Sequence, residues 1–456
     1  MPSTKIGDDI TDDASSLSTL LVLGSCGLDR LLTVPQYPAP EMKVRTTEYF
    51  EVGGGNASNV AHAAGLLLKG YRVQLCTKVG SDGMGQVVTK ELQCAGIDIH
   101  HDLFQVVPDT TTALTTVIVS ASEHTRTCLH TRGSCGEWSL QEIQRLLDND
   151  CKERRRRRRE RIAIDWEKVR HFHSDARHTE AACFLARKAK QRQIPISLDV
   201  EKDRGSVALD ELLELADIIF TNALQIDEYL QRLTREWEAT TQREPLNKPD
   251  TYNQSTLSQS SAQIYIHALG PSTYFTRKYR QVGKEVVITK GDQGSIHLRC
   301  ESVDIVDEGS ANKDSIHTII LREDECHTEN EGVIYNLRQV FVDNMAGSSC
   351  RVEAVYSLRA VGILPHVMIA DTTGAGDAFL GGYLAAQLNP DMYPTVTDRM
   401  RLAAWVAGHK LEGPGARSAL PTTIKRETEL GRENHAASLR SVITMYGSAT
   451  IECRVR

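Results

Sequence analysis

Short apolar, β-branched runs alternate along this chain with segments whose small and apolar residues recur at helical spacing, and this alternation limits its folding options more than any other feature. Leu20–Gly24 (LLVLG) reads as a first strand, and Val44–Glu51 alternates more loosely up to Gly53-Gly54-Gly55. Ala57–Leu68 (ASNVAHAAGLLL) then has helical spacing, Val73–Val79 is a strand, and the turn Gly80-Ser81-Asp82-Gly83 opens a helix to about Cys94. Thr112–Ser120 (TALTTVIVS) is β-branched and strand-like. The succession resumes with His171–Ser174, a helix over Thr179–Arg192, Pro195–Val200, a helix over Leu209–Leu215, Asp217–Thr221 and Glu285–Lys290. Helices at Ala375–Gln387 and Asp398–Leu411 close it. Repeated strand–helix units predict an α/β sandwich.

Five stretches fall outside the pattern. Residues 1–18 read as a disordered tail, 151–162 carry seven Arg between Arg154 and Arg161, 233–263 form a polar loop, 301–350 are acidic and aperiodic, and 426–456 form a C-terminal extension. The expected organisation is therefore one catalytic domain over 19–425 with insertions at 151–162, 233–263 and 301–350, rather than three modules. Hydrophobic residues make up 40% of the 456, enough for a sizeable core. No apolar run approaches the roughly 18–20 residues a membrane helix needs. The polar, acidic start (MPSTKIGDDITDDASS) is unlike a signal peptide, so a cytoplasmic protein is expected. A net charge of −7 argues against a general nucleic-acid binder, and the Arg block reads as a solvated segment. The eleven Cys are scattered with no C-x-x-C pair, which fits reduced thiols. His171 and His173 have no Cys or carboxylate at matching spacing and read as ordinary strand residues rather than metal ligands.

The sharpest local signal is Asp371-Thr372-Thr373-Gly374-Ala375-Gly376-Asp377-Ala378-Phe379, a polar turn that runs into an apolar helix. Gly374, Ala375 and Gly376 allow close backbone approach at a helix N-terminus, whose N–H donors and partial positive charge suit a phosphate or a developing oxyanion. Asp377 falls in the first turn, where a carboxylate can accept the proton of a hydroxyl attacking a phosphoryl group. A second signal is Gly53-Gly54-Gly55-Asn56-Ala57-Ser58-Asn59, which sets two amides three residues apart at a helix start. Amides donate and accept together, as recognition of a polyhydroxylated substrate requires. Asp29, in Gly27-Leu28-Asp29, lies in the loop past the first strand, where open α/β sheets place ligands.

In this order the motifs resemble those of the ribokinase-like sugar kinases, the phosphofructokinase-B superfamily. In that family an Asp follows the first strand, a GG-containing Asn motif comes next, and a D-T-x-G-A-G-D segment lies near the C-terminus. Gly80-Ser81-Asp82-Gly83-Met84-Gly85 also fits the family's G-x-D-x-x-G stretch, and the resemblance spans about Leu21 to Pro421 outside the insertions. It implies a three-layer α/β/α sandwich with a small β-sheet lid. Within the family the chain looks most like the ketohexokinases. Gly54–Asn59 reads GGNASN rather than the GGKGAN of ribokinases, and Arg126-Thr127 resembles a lid-strand R-T. Ser197–Lys202 (SLDVEK) and Ala216–Phe220 (ADIIF) are similar to two further ketohexokinase segments.

Carried over by position, the resemblance assigns the sugar to Asp29, Gly54, Gly55, Asn56, Asn59 and Arg126. It makes Asp377 the base and Gly374, Ala375 and Gly376 the anion hole. The nucleotide edge maps onto Thr289, Lys290, Gly291 and Gly294, and onto Ala407 and Gly408 through Gly413. ATP and Mg²⁺ are the implied cofactors, with a monovalent cation such as K⁺ beside them, and a homodimer through the lid is the implied assembly. The resemblance assigns no metal ligands. The family's N-x-x-E position reads Asn222-Ala223-Leu224-Gln225, and Gly70 falls eleven residues after Asn59 where the family has about nine. The expected activity is ATP-dependent phosphorylation of a ketohexose such as fructose. The alternatives are a kinase for ribose, adenosine or another small substrate of the family, and a non-catalytic sugar-binding protein.

Overall fold

The structure is a computed structural model describing residues 17–99, 102–123, 125–154, 163–201, 207–222, 284–289, 291, 294–307, 318–322, 333–343, 350–361, 370–422 and 451–454. Its elements, in chain order, begin with β1 (Ser18–Leu23), β2 (Gly27–Val34), β3 (Glu48–Gly54), α1 (Asn56–Leu67), β4 (Tyr71–Gly80), α2 (Gly83–Cys94), β5 (Phe104–Val107), β6 (Ala113–Ser120) and β7 (Thr125–Thr131). Next come α3 (Leu140–Arg154), β8 (Val169–Ser174), α4 (Thr179–Lys190), β9 (Ile196–Val200), α5 (Val207–Leu215), β10 (Ile218–Asn222) and β11 (Glu285–Thr289). The chain continues with β12 (Ser295–Asp307), β13 (Thr318–Arg322), β14 (Val333–Asp343), β15 (Cys350–Val361), α6 (Ala375–Gln387), α7 (Val396–Lys410) and β16 (Ile451–Arg454).

One sheet runs in the order β16-β13-β14-β15-β12-β11-β10-β9-β8-β1-β4-β5, and a second of four strands runs β3-β2-β6-β7. From β5 to β11 the large sheet is parallel, and from β11 onward its pairs are antiparallel. Alternate residues of its central strands face opposite layers, as the pleat requires. Leu20, Val22, Val73, Leu75, Phe220 and Val287 pack with apolar residues of α1, α2, α6 and α7. Leu21, Leu23, Cys76, Phe172, Ile196 and Leu198 pack with those of α3, α4 and α5. The result is the three-layer α/β/α sandwich, with a small sheet beside it. Each fully buried Leu or Val contributes about 1.5–3 kcal/mol, so both faces of the sheet hold the layers together.

Two packing details bear on the site. β1 lies between β4 and β8, so the chain leaves it in one direction and later returns on its other side. Such a reversal opens a crevice at the strands' C-terminal ends, where α/β sheets take ligands. Helix α6 lies against α1 because Gly381 has no side chain: a Cβ there would stand 2.6 Å from Ala63 Cβ and 3.0 Å from the Val60 carbonyl.

The structure departs from the sequence reading at the start of β1, which takes in Ser18 of the expected tail, at β3, which starts at Glu48 rather than Val44, and in three further places. Asp29 lies within β2 rather than in a loop, because GLDRLLTV buries Leu28, Leu31 and Val34 against the core and pairs with β3 and β6. Residues 301–350 are not aperiodic. They contain the end of β12 and all of β13 and β14, strands whose β-branched runs are separated by acidic and Asn-bearing connections that obscured the pattern. The break at 151–162 begins later than expected, since α3 continues to Arg154. Residues 1–16 of the tail, 155–162, the polar stretch 233–263 and the 426–456 extension apart from Ile451–Arg454 lie outside the described residues. Among the described residues, no helix is long and apolar enough to cross a membrane.

Candidate active site

At the end of β1 the two Gly-bearing motifs meet. Gly54 and Gly55 close β3 and open α1, and the Gly54 carbonyl accepts from Ser58 Oγ at 2.6 Å. Asn59, one turn into α1 and buried, donates from Nδ2 to Asp377 Oδ2 at 2.8 Å. Residues 318 positions apart in sequence are thus joined by one hydrogen bond, made possible by the close α1–α6 contact at Gly381.

Asp377 sits in the first turn of α6. The turn before it depends on Gly374, whose φ of +73° is left-handed and whose missing side chain leaves room for Ala416, 2.4 Å from where a Cβ would stand. No side chain caps this helix, and Gly376 is exposed with nothing within 4 Å of a Cβ built on it. The helix N-terminus, with its partial positive charge, therefore opens toward solvent beside a buried carboxylate. Burial and then the neighbouring Glu201 charge hold the Asp377 carboxyl well above the usual carboxylate range.

Asp199 at the end of β9, Glu201 just beyond it and Asp377 bring carboxylate oxygens within 4.8 Å of one another. Burial, then Glu201 and Asp377, also push Asp199 well above its usual value. Asn56 turns its amide toward this cluster and donates from Nδ2 to Asp199 Oδ2 at 3.4 Å. Three hard oxygen donors that repel one another suit a hard divalent cation such as Mg²⁺. SLDVEK was legible only as a resemblance, with no role for Asp199 or Glu201.

Asp29 is buried on β2, opposite Val52 of β3 and Thr115 of β6. Burial raises its pKa to about 6, against the lowering effect of the Arg417 charge and a hydrogen bond from Thr115. Sequence reasoning missed Arg417. This buried guanidinium donates from Nε to Asn59 Oδ1 (3.0 Å) and from Nη2 to Ser58 Oγ (2.8 Å) and the Gly54 carbonyl (3.3 Å). From Nη1 it donates to Glu91 Oε2 at 3.2 Å, and the same Glu91 oxygen accepts the Gly53 N–H at 2.8 Å. Asn59 is therefore held on one side by Arg417 while it holds Asp377 on the other. Asp175, also unassigned from sequence, accepts from Ser25 N (2.8 Å), Ser25 Oγ (2.5 Å) and Ala57 N (3.3 Å), tying the end of β1 to the start of α1.

Arg126, exposed on β7 of the small sheet, donates from Nη1 to Thr372 Oγ1, so the lid touches the turn that precedes α6. The expected nucleotide edge is spread more widely. Thr289 ends β11 opposite Asn222 of β10, and Gly294 N donates to Gly291 O at 3.2 Å in the turn that follows. Ala407 and Gly408 lie inside α7, where their carbonyls accept from Leu411 N, and the Gly413 carbonyl accepts from Lys410 Nζ. Among the described residues no hydrogen bond joins these two groups, and Lys290 lies outside them. Gly70 (φ +80°) turns the chain after α1 ends at Leu67, so the longer Asn59–Gly70 spacing leaves the start of that helix unchanged. His171 and His173 are buried side by side on β8 and share Ser197 Oγ at 2.8 Å each.

The comparisons with known proteins bear on this arrangement. The profile of pfkB family carbohydrate kinases matches residues 18–248 and 344–423. The chain belongs to that family. The gap in the match takes in β11, β12, β13 and β14. An ATP-dependent ribose-1-phosphate kinase of Halopiger xanaduensis is 27% identical over 220 residues, 46% of this chain and 65% of that protein. A ribokinase of Haemophilus influenzae is 34% identical over 83 residues, 18% of this chain and 26% of its own length. The chain thus spans less than two thirds of either curated relative. Among solved structures, the fold is similar to ribokinase from Cryptococcus neoformans in complex with ADP (TM-score 0.56, 15% identity, 89% of this chain and 97% of that one). It is also similar to Arabidopsis thaliana ribokinase complexed with ribose and ATP (TM-score 0.53, 17% identity, 91% and 98%). These relatives carry ribokinase or ribose-1-phosphate kinase names, so the expected closeness to ketohexokinases is not what they bear out.

Proposed function

We propose that this pfkB-family protein transfers the γ-phosphoryl group of ATP to a hydroxyl of ribose or a ribose derivative, with Asp377 as the base. The observation that carries this reading is the Asp377 carboxylate, buried and aimed by Asn59 Nδ2 at 2.8 Å in the first turn of a helix whose N-terminus no side chain caps. Asp29 and Asn59 bind the sugar, with Gly54, Gly55 and Asn56 shaping the pocket wall and Arg126 reaching in from the lid. Asp377 accepts the proton of the attacking hydroxyl as its oxygen bonds to the γ-phosphorus and the bond to the β–γ bridging oxygen breaks. The turn Gly374-Ala375-Gly376 presents the helix N-terminus to the charge on the transferring group, and such preorganised donors act most strongly where water is excluded. ATP would lie along Thr289, Lys290, Gly291 and Gly294 and along Ala407, Gly408 and Gly413.

Mg²⁺ fits the Asp199–Glu201 oxygens beside Asp377, and when bound it supplies positive charge to the phosphates. Burial first, and then the repulsion of neighbouring carboxylates, raises Asp199 and Asp377, and a bound cation would relieve the repulsive part.

The ribose preference is supported by the names of the curated relatives. The ketohexose reading leans on the GGNASN motif, whose Asn56 commits a donor to Asp199 at 3.4 Å instead of leaving it free for a sugar hydroxyl. The test is a phosphoryl-transfer assay with saturating MgATP and ribose, ribose-1-phosphate, adenosine or fructose. A ribose derivative should lead fructose in kcat/KM by at least ~10-fold, about 1.4 kcal/mol. A lead for fructose restores the ketohexose reading, and no transfer to any of the four removes the assignment.

A further inference from the structure

Lys410, the last residue of α7, is fully buried, and the mechanism above gives it no part. A buried ammonium is costly unless oxygen atoms replace its water shell. Here Nζ donates to the Asp371 carbonyl at 2.7 Å and the Gly413 carbonyl at 3.1 Å, with Asp371 Oδ2 at 4.0 Å. The position also faces the C-terminal, partially negative end of its own helix.

These oxygens come from two separate chain segments. The Asp371 carboxylate accepts the Thr373 N–H (3.0 Å), the Thr373 hydroxyl (2.9 Å) and the Gly415 N–H (2.7 Å). In return, the Leu411 carbonyl accepts the N–H groups of Ala370 (2.7 Å) and Asp371 (3.3 Å). Segments 370–373 and 411–415 are thus knit around one side-chain cation. Gly374, which opens α6, follows directly and packs on Ala416.

We infer that Lys410 is a positioning residue: a tethered ammonium that fixes the 371–376 turn, and with it the N-terminus of α6, where the transferred phosphoryl group must sit. This inference rests on the phosphoryl-transfer reading above. Two carbonyls and a carboxylate form an oxygen set that a diffusible monovalent cation could also occupy. Lys410 supplies that charge covalently, so turnover does not depend on K⁺.

The geometry dictates the test. Lys410→Met keeps the length and removes the charge. Its kcat should fall ~10²-fold, the scale of a misplacement of about 1 Å in a catalytic group, while the sugar Kd stays within about threefold. Lys410→Ala leaves a hole, and ethylammonium should return at least ~10-fold of its lost kcat while NaCl at equal ionic strength returns none. Exchange at the Thr373 and Gly415 amides should quicken ~10-fold or more in both variants, with α1 unaffected. Wild-type turnover should be equal in K⁺ and Na⁺ buffers.

A folded Lys410→Met with kcat within twofold of wild type, rescue no better than NaCl, or turnover that requires K⁺ would overturn the inference. If neither variant folds, Lys410→Arg decides. Its longer planar head cannot meet both carbonyls in the same space, so a tenfold fall in kcat with unchanged sugar Kd upholds the role, and wild-type kcat ends it. The exchange measurement needs no turnover, so a wrong substrate assignment leaves that arm readable.

Discussion

Three side chains of the site were legible as residues. Asp29, Asn59 and Asp377 each stood in a short motif whose chemistry could be argued from glycine, amide and carboxylate alone, and burial gathers all three. Arg417 was not legible: a lone Arg in a loop carries no periodic signal, and its bond to Asn59 spans 358 positions. Removing it should nevertheless be costly, because Asn59 Oδ1, Ser58 Oγ, the Gly54 carbonyl and Glu91 all lose a donor. Arg417→Met should lower unfolding stability by about 3 kcal/mol, read from the urea midpoint at constant m-value. A loss below about 1 kcal/mol would mean that solvent replaces these contacts.

Asp29 gives a pH signature. Its pKa is about 6 in the folded protein against 3.8 in the ordinary state, so between these values the folded chain holds a proton that the unfolded chain has lost. Stability from this group is full below about pH 4 and is lost as pH rises toward 6. Asp29→Asn should therefore melt higher than wild type at pH 7 and equally near pH 4, while weakening sugar recognition by about 1–3 kcal/mol. Equal melting temperatures at both pH values would place the carboxyl in water rather than in the core.

At the scale of elements, many strands and helices followed from periodicity, most with ends shifted by a residue or two, although β3 starts four residues later than read. α3, β5, β12 and β15 were not read, and three further misses have a visible cause. β2 was read as a loop because Asp29 and Arg30 interrupt its apolar run, and β13 and β14 were hidden by the connections around them. The contact between α1 and α6 was also invisible, although it sets the Asn59–Asp377 bond. Gly381→Val inserts side-chain atoms where a Cβ would already stand 2.6 Å from Ala63 Cβ. Overpacking of this kind costs about 1–3 kcal/mol, and here it should also lower kcat by spreading the helices. A variant with unchanged stability and turnover would show that the two helices can separate without moving the site.

For the whole molecule, the α/β sandwich was legible because strand–helix alternation admits few architectures, the small sheet was implied only by the family resemblance, and the antiparallel extension beyond β11 was not legible. That extension offers a further test. β12 and β15 pair directly, with Asp307 opposite Cys350, so replacing residues 308–349 by a short Gly/Ser linker should leave that hairpin closed. The shortened protein should fold and keep phosphoryl transfer within about threefold, since loop length adds little closure cost. Loss of folded protein would make β13 and β14 part of the required core. The substrate itself was least legible, because hydroxyl recognition depends on where a few amides point, and Asn56 points to Asp199. The central claim is that Asp377 takes the proton of the attacking hydroxyl. It is tested most directly by Asp377→Asn, with kcat measured beside sugar affinity and melting temperature. The prediction is a folded variant that binds sugar within about threefold of wild type and turns over at least ~10²-fold more slowly. A folded variant that retains near-normal turnover would contradict it.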